Sequence, residues 1–157
     1  MKYDATPLID YLNEKEVPFE LHHHPYSVTA MRTAAAEHVT GKHFAKAVVV
    51  RTGEKPLLAV LPAHFQLDLE KLSRLCGLSD LELADEHEFV NLFPNCEVGA
   101  MPPFGRMYDM DVYIDDDIAV APEVHFNACT HSHAISLSGK NFLKAAEGVV
   151  GDISADE

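Results

Sequence analysis

The segment that most constrains the fold is the run Phe-Ala-Lys-Ala-Val-Val-Val-Arg at residues 44–51. Apolar side chains occupy both alternating sets of positions, so a strand here has both faces buried. A Thr-Gly-Glu-Lys segment at residues 52–55 turns the chain, and a second apolar run follows at residues 57–61. Together they predict a hairpin at the centre of the fold.

Helix signals lie on both sides of this hairpin. Thr6 followed by Pro7 predicts an N-cap and a helix that runs to about residue 15. Further helices are predicted over residues 31–38 with Ser27 or Thr29 as the cap, over 69–76 between Asp68 and Gly77, over 85–92, and over 141–147 after Ser138 and Gly139.

Short apolar runs between turn signals predict the remaining strands, at residues 19–22, 112–114, 118–120, 124–127 and 134–137. Helices kept apart from a run of short strands are typical of an α+β domain. We therefore expect a single domain over residues 1–157, with a curved, mostly antiparallel mixed sheet that is barrel-like and flanked by helices. The acidic residues from about 151 to 157 are expected to form a tail.

Charge and cysteine content exclude several classes of protein. The 157 residues carry a net charge of −13, from 25 acidic and 12 basic side chains, which argues against broad binding to a phosphate backbone. The three cysteines are widely spaced, with no signal peptide before them, and no apolar run approaches the ~20 residues that span a bilayer. We expect a reduced, cytoplasmic protein without a membrane partner.

Lys46 is the first candidate functional residue. It lies inside the central strand and shares a face with Phe44, Val48 and Val50. A lysine among buried residues is costly unless its ammonium group reaches a partner or a cleft. The alternative is a strand-end lysine whose stem packs on apolar surface while its charge reaches water.

The stretch Gly-Ala-Met-Pro-Pro-Phe-Gly at residues 99–105 is the second candidate. Pro102 and Pro103 have fixed φ angles and no N–H group, so the backbone is stiff, and Gly99 and Gly105 permit bends at its ends. Stiff backbone with small side chains can approach a ligand closely and present fixed carbonyl and amide groups. A structural turn at the edge of a sheet is the alternative.

The third candidate is Asn-Ala-Cys-Thr-His at residues 127–131, where polar residues follow an apolar strand. Cys129 near His131 allows a thiol nucleophile, although a small buried cysteine is the commoner case. Consecutive histidines in an extended chain, as at residues 22–24, cannot all face one metal ion. No metal site and no other cofactor are predicted.

In order and spacing, five segments of the chain resemble the YbaK/ProX family of aminoacyl-tRNA editing domains. They lie within residues 26–142 and read HFAKAVVV, LAVLPAHFQLDLEKL, CEVGAMPPFG, VYIDDDI and FNACTH. The resemblance implies a free-standing domain that serves translation fidelity by hydrolysing the ester of mischarged tRNA, most of all alanyl- or cysteinyl-tRNA for proline. Its implied partners are the acceptor end of that tRNA and prolyl-tRNA synthetase.

The resemblance also implies roles for individual residues. Lys46, Gly99 and His131 are the implied catalytic residues, and the helix near residues 27–34 is the implied wall that screens the amino acid by size. The implied substrate-binding residues are Ser27, Thr29, Ala100, Met101, Pro102, Pro103, Ala128, Cys129 and Thr130. Cys129 stands where relatives usually have glycine, and its β-carbon is expected to narrow the approach of the ester.

Such an enzyme needs no strong protein nucleophile, because an aminoacyl ester is already activated. Water or the substrate's own ribose hydroxyl can serve in its place where backbone donors stabilise the oxyanion. Two other functions fit the same residues: a non-catalytic regulatory module that binds an aminoacyl or adenosine ligand, and a protein-interaction domain whose acidic residues 109–117 meet a basic partner.

Overall fold

The computed structural model describes residues 3–24 and 43–155, whose strands form two sheets. The helices there are α1 (Thr6–Glu14), α2 (Leu69–Cys76), α3 (Glu86–Phe89), α4 (Asp116–Ala119) and α5 (Gly139–Ala146), with 3₁₀ turns at Val90–Leu92 and Gly105–Tyr108. The strands are β1 (Glu20–His23), β2 (Ala45–Arg51), β3 (Leu57–Pro62), β4 (Glu82–Leu83), β5 (Val112–Asp115), β6 (Glu123–Asn127), β7 (His133–Ser138) and β8 (Val149–Gly151).

The larger sheet has the strand order β4-β2-β3-β5-β8 and is mixed, because β2 runs antiparallel to both its neighbours while β5 runs parallel to β3 and β8. The smaller sheet, β1-β7-β6, is antiparallel. A parallel bridge between Phe44 and His125 connects the two sheets. The α+β prediction with a mixed sheet is confirmed, although the described strands do not close into a barrel.

The central hairpin is buried on both faces, as its sequence predicts. Ala45 and Val49 face the main core, which also contains Phe126 of the smaller sheet. Val50 faces the other way and packs with Leu72 of α2. Because hydrophobic burial stabilises the sheet from both sides, β2 is held rigidly between two apolar layers.

The strand predicted at residues 118–120 is wrong, because the chain forms helix α4 there. Asp115 is the N-cap, and its carboxylate accepts a hydrogen bond from Asp117 N at 3.2 Å. The same buried carboxylate accepts from Ile153 N at 3.0 Å. Capping outweighs the apolar pattern because the carboxylate accepts a hydrogen bond from a backbone N–H group in the first turn, which has no partner within the helix.

Thr6 is not the N-cap that the sequence predicts. Ala5 occupies the cap position, and Thr6 is the first helical residue. The carboxylate of Asp4 accepts from Thr6 N at 2.9 Å and from Thr6 Oγ1 at 2.7 Å. Asp4 therefore supplies the acceptor that was assigned to Thr6.

The sequence patterns also left two short strands unassigned, β4 and β8. Strand β8 extends the large sheet, and beyond it Ile153 is buried and Ser154 bridges Leu67. The described part of the acidic tail, up to residue 155, therefore packs on the domain. The helix predicted over residues 31–38 lies outside the described residues. None of the described helices is long and apolar enough to cross a bilayer.

Helix α1 is attached to α5 by the phenol of Tyr11, which donates to the carbonyl oxygen of Ala145 at 2.6 Å. Burial, together with the nearby Glu147 carboxylate, raises the pKa of Tyr11 to about 12. We expect Tyr11→Phe to lower the free energy of unfolding by about 1 kcal/mol at neutral pH. Urea denaturation measures this loss.

The pH dependence has a defined sign, because the pKa of Tyr11 is higher in the folded chain than its ordinary value of 10.0. The stabilisation is complete below that ordinary value and disappears as the pH rises toward about 12. The difference between wild type and Tyr11→Phe should therefore shrink above pH ~10. A difference that stays constant to pH ~11 contradicts this account, and exposed Tyr3→Phe is the matched control.

Candidate active site on the outer face of the sheet

Lys46 lies in β2, opposite Leu61 of β3. Its neighbours Ala45 and Ala47 pack in or against the main core, so Lys46 projects from the opposite face of the strand. We call this opposite face the outer face. The side chain is half-buried, and this burial lowers the pKa of the Lys46 ammonium below its ordinary range. A cation that is partly removed from water acts more strongly on a nearby negative charge.

The bridge between Phe44 and His125 brings a second polar residue to this outer face. Lys46 and Asn127 each lie two residues beyond the bridge on neighbouring parallel segments, so their side chains project to the same side. Ala134, which pairs with Asn127, packs with Phe44 on this face. The outer face therefore extends from Lys46 across to Asn127.

The loop that begins at Gly99 borders the same face. Asn127 Nδ2 donates to the carbonyl oxygen of Gly99 across 3.5 Å, a long hydrogen bond. Gly99 is exposed and has a φ of +85°, a conformation that only glycine adopts without strain. The following residues, from 100 to 105, are buried. Within the stretch at residues 99–105, Gly99 is thus the residue whose backbone a ligand can approach.

The loop at residues 97–100 is fixed by backbone hydrogen bonds to the hairpin connection that follows β6. Glu97 N donates to the carbonyl oxygen of Cys129 at 2.9 Å, and Cys129 N donates to that of Ala100 at 3.0 Å. Two bonds in opposite directions hold the loop much as strand pairing would. The stiffness expected from Pro102 and Pro103 is thereby increased by tertiary contacts.

His131 is buried and contacts the loop rather than open space. Its Nε2 donates to the carbonyl oxygen of Val98 at 2.7 Å, and its backbone N–H donates to Glu97 Oε1 at 3.2 Å. A β-carbon built on Gly99 would lie 3.4 Å from Cε1 of the ring. These contacts favour a positioning role for His131, and its catalytic role stays a prediction.

Cys129 faces away from the outer face and into the core. Its Sγ accepts from Asn95 Nδ2 at 3.5 Å and hydrogen-bonds with the Cys96 thiol, which contacts the hydroxyl of Tyr108 at 3.6 Å. The hydrogen bond with Cys96 and burial raise the pKa of the Cys129 thiol, which disfavours a thiolate nucleophile. Its β-carbon is therefore not placed to narrow the approach to Gly99.

The backbone conformation at residue 129 is one that favours glycine. Cys129 has a φ of +69°, in the left-handed region that a residue with a β-carbon seldom adopts. Its neighbour Ala128 is fully buried, and Thr130 Oγ1 is 2.6 Å from Nδ1 of His133. The described contacts of these three residues are internal, so their roles in substrate binding stay predictions.

The remaining site residues are not all described. Ser27, Thr29 and the screening wall at 27–34 lie outside the described residues. Over residues 3–24 and 43–155, no group of three or more histidine, cysteine, aspartate or glutamate side chains could hold a metal ion. Asn127 belongs to the third candidate stretch but was given no role of its own, although its place at the end of an apolar strand is a signal for one.

The strain at Cys129 gives a test that uses two substitutions. In ordinary backbone, glycine is less stable than alanine, but at a φ of +69° it relieves strain. We expect Cys129→Gly to be more stable than Cys129→Ala by about 0.5–1 kcal/mol, measured by urea denaturation. At the buried Cys96, whose φ is not positive, alanine should be the more stable of the two. The same order at both positions would contradict the strain account.

Three solved structures share this fold over nearly their whole length. The first, from work on epitope backbone grafting by computational design, has a TM-score of 0.85 at 23% identity and covers 98% of this chain and 97% of its own. Hypothetical protein APE2540 has a TM-score of 0.85 at 19% identity, with 95% and 99% covered. A candidate trans-editing enzyme for prolyl tRNA synthetase has a TM-score of 0.83 at 23% identity, with 97% covered in both chains.

These identities are low, so the three structures establish the fold alone. Family membership rests on the sequence instead: the model of the aminoacyl-tRNA editing domain family matches residues 24–145. The match includes Lys46, Gly99, Asn127 and His131, and it spans well over half of the chain. The chain belongs to the aminoacyl-tRNA editing domain family.

Proposed function

We propose that this protein is a trans-acting aminoacyl-tRNA deacylase, which hydrolyses the ester of a mischarged tRNA. The observation that carries the proposal is the outer face, where half-buried Lys46, Asn127 and the exposed backbone of Gly99 adjoin in an editing-domain fold. The substrate that we propose is alanyl- or cysteinyl-tRNA for proline, from the resemblance of the five segments. The protein would act in the cytoplasm beside prolyl-tRNA synthetase.

The chemistry requires few protein groups. Water, oriented by the neighbouring ribose hydroxyl, attacks the ester carbonyl carbon and gives up a proton, and the carbonyl oxygen gains negative charge. The ammonium group of Lys46 stabilises that oxygen or the adjacent phosphate, and the bond to the ribose oxygen then breaks as that oxygen takes up a proton. Because Lys46 is partly desolvated and fixed in a rigid strand, it needs little reorganisation to do this.

Gly99 contributes exposed backbone with a positive φ, against which we propose that the planar ester lies. The missing β-carbon leaves room for the His131 ring, and His131 and Cys129 hold that backbone from behind. A geometry fixed before the substrate arrives lowers the entropic part of the barrier. This explains how an enzyme can work here without a Ser-His-Asp arrangement.

The charge of the chain limits how it holds tRNA. With a net charge of −13, the protein cannot wrap an extended phosphate backbone. Contact with the single-stranded acceptor end, where one lysine meets a phosphate or carbonyl oxygen, is consistent with that charge. Selection of the tRNA body is therefore assigned to the partner synthetase.

A deacylation panel tests the proposal. Alanyl-, cysteinyl- and prolyl-tRNA for proline are incubated with wild type, Lys46→Ala and Lys46→Met, with exposed Lys140→Ala as the matched control. We expect the Lys46 variants to lose at least ~100-fold in kcat/KM on the mischarged substrates, comparable to removal of an oxyanion donor. The kcat/KM of Lys140→Ala should match that of wild type, and none of the proteins should hydrolyse prolyl-tRNA appreciably.

Stability separates a functional loss from a folding defect. Lys46→Met keeps the apolar stem and removes the ammonium group. Because burial disfavours that charge and lowers its pKa, this variant should be at least as stable as wild type. Wild-type hydrolysis no faster than that of Lys46→Met on every mischarged tRNA would contradict the proposal. Tight binding of the esters without hydrolysis would instead establish the non-catalytic module.

A further inference from the structure

The side-chain amide of Asn127 has an unused acceptor. The residue is buried at the end of β6, and Nδ2 is directed at the carbonyl oxygen of Gly99. Its Oδ1 is also buried, and it has no hydrogen-bond partner among the described residues. A buried acceptor left unpaired destabilises the folded chain, so such a group indicates a partner that arrives later.

The location of Oδ1 restricts what that partner can be. Asn127 shares the outer face with Lys46, and its own amide nitrogen reaches Gly99, so Oδ1 lies beside the backbone proposed to receive the ester. An amide oxygen accepts hydrogen bonds and cannot donate them. The partner must therefore be a donor close to the ester carbonyl.

The substrate offers few such donors. The α-ammonium group is attached to the carbon next to the ester carbonyl, whereas the adenine amino group is many bonds away. A neighbouring ribose hydroxyl is the other donor within reach. An ammonium group bound to a neutral acceptor forms a charge-assisted hydrogen bond, which is stronger than one from a hydroxyl.

We infer that Asn127 Oδ1 accepts a hydrogen bond from the α-ammonium group of the bound aminoacyl ester. This inference rests on the proposed function and deepens it, because it makes Asn127 a specificity-determining residue for esters with a free α-amino group. In esters whose α-nitrogen is acylated, as in peptidyl-tRNA, the nitrogen carries no positive charge. A bulky amide would then lie against Asn127 Oδ1. The site would then remove a single misplaced amino acid while sparing a growing chain.

The test combines a change in the protein with a change in the substrate. Wild type, Asn127→Leu and Asn127→Asp are each assayed on alanyl-tRNA and on N-acetylalanyl-tRNA. Asn127→Leu should lower kcat/KM on alanyl-tRNA about 10- to 100-fold, the range that one charge-assisted hydrogen bond supplies. On N-acetylalanyl-tRNA, which wild type should already cleave slowly, the same substitution should change the rate by less than about twofold.

Asn127→Asp keeps an acceptor oxygen but loses the donor to Gly99, so it separates the two contacts of the amide. It should retain most of the preference for alanyl- over N-acetylalanyl-tRNA. Asn127→Leu should unfold at the same or a higher urea concentration than wild type, because it removes the unpaired acceptor.

Equal losses on both substrates in Asn127→Leu would overturn the inference, since the amide would then serve the ribose or the Gly99 loop alone. Loss of the preference in Asn127→Asp would overturn it as well. Failure of the proposed function gives a different result, in which wild type cleaves neither substrate.

Discussion

The candidate site depends on the bridge between Phe44 and His125, which joins the two sheets of the domain. His125 N donates to the carbonyl oxygen of His43 at 2.9 Å, and the segments run parallel from there toward Lys46 and Asn127. Without this contact, the lysine of one sheet and the amide of the other would not share a face. Because β2 is buried on both sides, the position of Lys46 relative to that bridge is rigid.

A second constraint fixes the third component of the site. The loop at residues 97–100 and the connection at Cys129 exchange two backbone hydrogen bonds, and His131 adds a third contact to the carbonyl oxygen of Val98. The left-handed backbone at Cys129 is part of this arrangement, and its thiol lies in the core. A cysteine at this position therefore adds backbone strain to the support, while its side chain stays away from the exposed surface at Gly99.

Sequence patterns predicted most of the described fold because its elements have strong local signals. Strand β2 shows the two apolar faces directly, and helix α2 has Asp68 and Gly77 at its ends, both of which act as predicted. The failures arose where a local signal competed with a longer-range one. The capping carboxylate of Asp115 outweighed an apolar triplet, and β8 forms only because β5 is already in the sheet.

The site was less predictable than the fold. Lys46 was identified because a charge in an apolar strand violates the pattern, and Gly99 because it begins a short stretch that contains two adjacent prolines. Neither signal shows that residues 100–105 are buried, that Cys129 points inward, or that Asn127 projects to the same side as Lys46, since these facts depend on tertiary contacts. The place of Asn127 at the end of an apolar strand is a weak signal, and its unpaired oxygen is what distinguishes it in the structure.

The central claim is that the outer face, and no other cleft, receives the aminoacyl end of tRNA. Amide chemical shifts, measured by NMR during titration with an alanyl-adenosine analogue whose ester is replaced by a stable amide, test it most directly. The account predicts the largest changes at Lys46, Gly99 and Asn127, which lie on different segments of the chain. Changes confined to the separate cleft lined by Val49, Arg51 and Phe89, with none at Gly99 or Asn127, would contradict it.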